Sequence, residues 1–128
     1  MNTSYKTSWK PIKDQIMTRW ANEIDPENPL PKYPRPQLRR TDWFNLNGLW
    51  DYAILPKEEN YVKSFDGKIL VPFAIESSLS GVKRTLKPNQ KLWYHRNFII
   101  PESWNGKKIV LHFLTVPGFG NYKISMIP

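Results

Sequence analysis

The sequence predicts an all-β sandwich, introduced by a short helix and a proline-rich extended strap. Three observations lead there. Several short segments after residue 43 alternate apolar and polar side chains with a period of two, as half-buried strands do. Gly, Pro and Asn turn signals separate them. Only one window, near the N-terminus, carries a helical spacing instead.

Three regions divide the chain: a lead-in over 1–24, the strap over 25–42, and a partial sandwich over 43–128. The short helix is expected over 10–21, where Pro11 suits a first helical turn and Ile12, Ile16 and Trp20 line one face at i, i+4 and i+8. A helix of that length needs a sheet to dock on. Residues 25–36 hold five of the twelve prolines. Each proline removes a donor and fixes φ, so this stretch reads as an extended strap over the surface.

Five strands follow. In 48–54, Trp50, Tyr52 and Ile54 share a face opposite Asp51 and Ala53. Residues 67–75 predict a second strand, ended or marked as an edge by Pro72. The longest is expected over 91–100, alternating Leu92, Tyr94, Arg96, Phe98 and Ile100 with Trp93, His95, Asn97 and Ile99. A fourth, 107–114, follows the Asn105-Gly106 turn signal. A fifth, 121–127, follows Pro117-Gly118. No internal repeat is present.

Composition narrows the function classes. A length of 128 residues suits one domain and excludes a β/α barrel, which takes roughly 250 residues. Hydrophobic residues make up 40% and aromatics 14%, enough for a core and against disorder throughout. The absence of Cys excludes disulfides, thiolate metal sites and a Cys nucleophile. No run approaches the ~20 apolar residues of a membrane span, so no membrane partner is expected. Met1 to Lys10 is polar, which predicts no signal peptide and a cytoplasmic location as written. The net charge of +8 raises the question of anionic partners. Its densest groups, Arg39–Arg40, Lys83–Arg84 and Lys107–Lys108, are small and scattered, which reads as a solvated basic surface rather than a nucleic-acid patch.

No catalytic, cofactor-binding or metal-binding residue is assigned. Glycoside hydrolysis needs two carboxyls flanking one bond. Most of the eleven acidic residues here sit beside Pro, Asn or Gly in predicted loops, and Glu58–Glu59 is a surface-like pair. No pair stands out as acid and nucleophile. His95 and His112 fall on different predicted strands and lack a spaced partner for a metal. Ser77, Ser78 and Ser80 lack a nucleophile elbow and read as loop residues. Gly118-Phe119-Gly120 lacks the helix a phosphate loop needs. Six tryptophans could stack on sugar or pack a core; Trp50 and Trp93, set in alternating strands, read as core, while Trp43 and Trp104 lie at strand ends or turns.

One long stretch is familiar. YPRPQLRRTDWFNLNGLWDYAI at 33–54 carries a proline strap leading into Leu46, Asn47, Gly48 and Trp50. GKILVPFAIESSLSGV follows at 67–82, and LWYHRNFIIPESWNGKKIVLHF at 92–113, with Trp93, Tyr94, Arg96, Pro101, Trp104 and Gly106. With TRWANEIDPENPLP at 18–31, these segments in this order resemble the opening of family 2 glycoside hydrolases of the β-galactosidase and β-glucuronidase kind. The resemblance implies a jelly-roll-like sugar-binding domain, with an immunoglobulin-like domain and a catalytic barrel beyond it. The acid/base and nucleophile glutamates of that family lie in the barrel, and no position here matches their motifs. The expected role is therefore a sugar-binding-type fragment, inactive alone, whose full-length context would hydrolyse O-glycosyl bonds with carbohydrate as the partner. Two other readings stand beside it: a stand-alone carbohydrate-binding module and a basic nucleic-acid-binding β-domain.

After Phe113 the sequence departs from the family pattern, running LTVPGFGNYKISMIP. A truncated or frameshifted chain is the expectation. A jelly roll has about eight strands, against the four or five read here, so an unpaired edge and a partly uncovered apolar face are expected to drive self-association. Sedimentation across a dilution series should show mass rising with concentration, and thermal unfolding should be broad. A cooperative transition from a strictly monomeric sample would contradict this.

Overall fold

A computed structural model describes residues 9–12, 17–32, 37 and 39–113. The described residues are mostly β, with one open three-stranded antiparallel sheet and no long helix. Strand β1 spans Gly48–Pro56, β2 Gly67–Val71 and β3 Gln90–His95, in the spatial order β2-β1-β3. Short 3-10 helices occupy Arg19–Glu23, Ser78–Ser80 and Glu102–Trp104.

The first two strands lie where the alternation places them. β1 starts at Gly48 and runs to Pro56, where proline's missing donor suits a strand end. β2 stops at Val71, before Pro72. The ladder between them gains one side-chain contribution: Ile54 N–H donates to the Asp66 carboxylate at 2.9 Å, and Asp66 N–H to Tyr52 O at 2.8 Å. The register pairs Trp50 with Ile69, Tyr52 with Tyr94 and Ile54 with Leu92. Paired residues share a face, so this side is aromatic and aliphatic. The other side pairs Leu49 with Leu70, Ala53 with Trp93, and Asp51 with both Lys68 and His95.

The core is small. Ala53, Ile69 and Leu70 are fully buried, and Ala21 and Ile75 nearly so. Full burial of a residue such as Ile69 or Leu70 stabilises by about 1.5–3 kcal/mol. Both faces of the sheet contribute, Ile69 from one and Ala53 and Leu70 from the other. Against that, eleven large hydrophobic residues among those described are exposed, and Phe98, Ile99, Ile109, Val110 and Phe113 of this group follow β3. Ile99 is 89% exposed.

Two knots of hydrogen bonds supplement this core. In the first, the Leu46 carbonyl accepts from the Trp50 indole at 2.9 Å and from Arg96 Nη1 at 2.8 Å. Arg96 Nη1 also donates to Asn47 O at 2.9 Å. Asn45 and Asn47 reach across to the strap, donating side-chain N–H groups to Leu30 O and Pro29 O, each at 3.4 Å. Pro29 is fully buried. In the second knot, Ser77 caps the 3-10 turn Ser78–Ser80, accepting from Leu79 N–H at 3.2 Å. The Ser80 hydroxyl faces the carbonyls of Ser77 (2.7 Å) and Ile75 (3.0 Å) and accepts from the Val82 and Lys83 N–H groups. Trp9 closes it, its indole donating to Ser80 O at 3.3 Å.

Several expected elements differ. Residues 10–12 and 17–18 are not helical, residues 13–16 lie outside the described residues, and the helical turn falls instead at Arg19–Glu23. Trp20 is exposed there, and Ala21 is buried in its place. With residues 10–12 and 17–18 outside any helix, the i, i+4, i+8 spacing does not set which side of this turn faces inward. The longest strand is β1, not 91–100: β3 ends at His95. Arg96 would sit opposite Trp50 in a continued ladder. Its guanidinium instead lies over Gly48 and binds the Leu46 and Asn47 carbonyls. Residues 107–113 form no strand, because alternation specifies an apolar face but does not supply a neighbour to pair with. The Asn105-Gly106 signal does mark a turn, with Asn105 at φ −57°, ψ 135° and Gly106 at φ +76°, the angles of a type II turn. The expected strand 121–127 and the Pro117-Gly118 turn lie outside the described residues.

Gly48 joins these features. Its φ is +133°, and a Cβ there would sit 2.7 Å from Arg96 Nη1. Arg96 cannot swing clear without leaving both carbonyls. Gly48→Ala should therefore destabilise the chain by about 1–3 kcal/mol, the cost of a residue forced into backbone space reserved for glycine. Denaturant titration measures it; an unchanged midpoint would show that the junction carries no stability.

Candidate functional site

Three side-chain groupings are candidates for a site. The first is the junction at Leu46. Burial draws the Arg96 guanidinium below its usual value, and the negative charge of Glu27 opposes that shift. Arginine remains charged regardless, so this is a permanent cation held on two carbonyl oxygens. Its Nη1 donates to both backbone oxygens, and the junction serves as architecture.

The second grouping crosses the sheet. Asp51, at the middle of β1, forms an ion pair with Lys68 on β2 and meets His95 Nδ1 on β3 at 3.3 Å. Phe65 stacks on the His95 ring with centroids 5.1 Å apart. Partial burial pushes the Asp51 carboxyl up, but hydrogen bonds from Lys68 and His95 outweigh it and hold the group below the ordinary range. A general acid needs the opposite shift. One carboxylate with two basic partners ties three strands together and offers no second carboxyl for glycoside chemistry.

The third grouping clasps the chain on either side of the sheet. Asp42 bonds Lys107 at 2.8 Å, and Trp43 lies 5.9 Å from His112, ring to ring. The Lys107 hydrogen bond holds the Asp42 carboxyl below its usual range, with Trp104 contributing a further hydrogen bond. Beside this clasp lies an open depression of about 540 Å³ lined by Ile100, Pro101, Glu102 and Asn105. It brings only one carboxylate, Glu102, to its wall.

The tryptophans do not sort as expected. Trp50 and Trp93 are half-buried rather than core. Trp50 packs edge-on against Tyr94 at 6.4 Å. Trp93 has its indole nitrogen buried without a hydrogen-bond partner among the described residues, and Lys91 Nζ lies 5.3 Å from its ring centroid. Trp43 and Trp104 join the clasp. The most exposed indole is Trp20, with the Arg19 guanidinium 4.5 Å over it. Lys63 covers exposed Tyr61 in the same way at 5.5 Å. Three cations are thus spread over three separate rings.

His95 is a hydrogen-bonded strand histidine. His112 lies outside any strand, against Trp43. No three His, Asp or Glu residues group as a metal site would require among the described residues, and no helix among them is long and apolar enough to cross a membrane. Ser78 and Ser80 are buried, and Ser80 organises a turn rather than lying in an open loop. That role was not read from the sequence; serine two to three residues ahead of backbone donors is the signal that could have exposed it. The Arg96 role was missed likewise, because alternation assigned Arg96 to a strand face. Gly118-Phe119-Gly120 lies outside the described residues. No protein-family model matches the chain, and neither does any curated protein sequence.

The Asp51 shift has a stability consequence. A carboxyl lowered on folding adds stability that is present above its unfolded value of about 3.9 and is lost as pH falls through its lower folded value. Asp51→Asn should therefore flatten the acid side of the stability profile below about pH 4 and lower stability near neutrality. Thermal midpoints across an acid series test this; parallel curves for both proteins would remove Asp51 from the account.

Proposed function

We propose that this chain is a sugar-binding-type β domain of a family 2 glycoside hydrolase, jelly-roll-like in its complete form and inactive by itself. One observation carries the reading. Trp50 and Arg96, drawn from two separate segments of the resemblance, both donate to the Leu46 carbonyl oxygen, and Gly48 leaves room for the guanidinium above it. Residues fifty positions apart that meet this way have a common structural reason to recur together, which favours relatedness over coincidence of composition.

The open sheet and the exposed hydrophobic residues after β3 fit a sandwich whose second layer is supplied by further polypeptide. The domain's task would then be to flank and shape a substrate cleft whose acid and nucleophile lie elsewhere. Carbohydrate would be the partner of the whole enzyme. Neither nucleic acid nor membrane enters this reading.

The isolated chain should hydrolyse neither aryl β-galactosides nor aryl β-glucuronides above a blank. Clear turnover abolished by substituting one carboxyl would overturn the proposal. A saturable quench of tryptophan fluorescence by an oligosaccharide, without turnover, would point instead to a stand-alone binding module.

A further inference from the structure

The chain contains two Asn-Gly dipeptides, Asn47-Gly48 and Asn105-Gly106, and the fold treats them in opposite ways. We propose that Asn105 is a site of spontaneous deamidation and isoaspartate formation, while Asn47 is shielded by the Arg96 junction.

The reaction requires only the chain and water. The Gly106 backbone nitrogen attacks Asn105 Cγ, forming a new C–N bond. The Cγ–Nδ2 bond breaks, and the amide leaves as ammonia with the proton from the Gly106 nitrogen. Water then opens the resulting five-membered succinimide at either carbonyl, leaving aspartate or isoaspartate. No oxidant or reductant is involved. Glycine on the C-terminal side favours the step because no Cβ crowds the attacking nitrogen.

At Asn105 the geometry leaves that path open. Asn105 and Gly106 are both exposed. The position a Gly106 Cβ would take has no neighbour within 4 Å. Asn105 N–H donates to Glu102 O at 2.9 Å and Lys107 N–H to Trp104 O at 3.0 Å, but the Gly106 N–H, the nucleophile, donates to no described residue. Ring closure turns Asn105 away from its ψ of 135°. What resists that rotation is two surface turn hydrogen bonds rather than buried packing. Lys107 and Lys108 follow, and positive charge nearby stabilises the anionic tetrahedral intermediate.

At Asn47 the path is obstructed by packing and by hydrogen bonds. Its side-chain amide, the leaving group, donates to Pro29 O at 3.4 Å. Its N–H is held by Asn45 Oδ1 at 2.9 Å, and its carbonyl by Arg96 Nη1 at 2.9 Å. Gly48 is buried, and the Arg96 guanidinium fills the space over it. Rotation about the Asn47 backbone would break a charge-assisted hydrogen bond and detach the strap.

The consequence at Asn105 is local. A new carboxylate lies two residues from Lys107, where it competes with Asp42 for the same ammonium. The isoaspartate product also lengthens the turn backbone by one methylene. Both changes loosen the clasp between residues 42–43 and 104–112.

The test is peptide mapping by mass spectrometry, with isoaspartate quantified, after incubating the full chain at mildly alkaline pH. Native chain should convert Asn105 faster than Asn47 by on the order of tenfold or more, the protection that one charge-assisted hydrogen bond can give. In denaturant the two sites should react at comparable rates. Asn105→Gln should remove most of the ammonia released by the native chain. A native ratio near one, or ammonia release undiminished in Asn105→Gln, would overturn the assignment.

Discussion

The structure depends on how the Leu46 carbonyl is used. An exposed backbone oxygen just before a strand would ordinarily be left to water. Here it accepts an indole N–H from Trp50 and a guanidinium N–H from Arg96, at 2.9 and 2.8 Å. The first contact is local and orients the opening of β1. The second spans fifty residues and fixes where the chain goes after β3. A carbonyl receiving a charged donor in a half-buried site is worth more than a neutral surface pair, because the low local dielectric strengthens it and leaves either group costly to orphan. Gly48 makes the approach sterically feasible, and Asn45 and Asn47 pass the constraint on to the strap at Pro29 and Leu30. Lead-in, first strand and post-β3 segment are thereby tied at one point.

That arrangement explains which parts of the fold were legible in the sequence. β1 and β2 were legible because their alternation, boundaries and turn residues all agree: Gly48 and Pro56 bound one, and Pro72 follows the other. β3 was legible only as far as His95. Past it, Arg96 continues the alternation on paper, yet its side chain has a stronger use as a donor to carbonyls than as a strand residue. Periodicity records which residues are apolar and cannot register a competing hydrogen-bond demand from fifty positions away. The 3-10 turn at Arg19–Glu23 was displaced from the expected helix for a related reason: Ile12 N–H donates to Ser78 O at 3.2 Å, so the lead-in answers to a distant loop rather than to its own stripe. The candidate site was less legible still. Asp51, Lys68 and His95 are separated by 17 and 27 positions, and only the register brings them side by side. Leu46, Gly48, Trp50 and Arg96 all lie in the segments that carry the resemblance, but nothing in the sequence indicates that they meet.

The polar cross-strand grouping also decides what kind of surface this face of the sheet is. Ala53 and Leu70 on this face are fully buried, but the centre of β1 is polar. Asp51 there, salt-bridged to one neighbour and hydrogen-bonded to the other, keeps its position wetted. Its partners must be supplied by the adjoining strands, so the ion pair acts as a register lock: a slip of one residue would remove both Lys68 and His95 from Asp51 and turn the whole hydrophobic set over. The aromatic face, with Trp50, Tyr52 and Tyr94, is where further covering would stabilise the sheet. Burial already raises the pKa values of Tyr52 and Tyr94, with the charges of Asp66 and Glu76 adding to the effect, so both remain neutral phenols able to donate at an interface.

A sheet with two open edges and five buried hydrophobic residues among those described has little hydrophobic free energy to set against chain entropy. Stability must then reside disproportionately in specific knots. The Ser80 hydroxyl is the second of these, placed among four backbone groups of one loop, with Trp9 closing over Gly81, where a Cβ would lie 2.5 Å from the indole nitrogen. The two knots sit on opposite ends of the chain's logic: one holds the strap to β1, the other holds the lead-in to the loop after β2. Each relies on a glycine at positive φ beneath a large side chain, so in both the backbone conformation and the covering group stand or fall together. A domain built this way is sensitive at a few positions and tolerant elsewhere. That is the expected condition of a sheet held in shape by local hydrogen bonds rather than by a large apolar core.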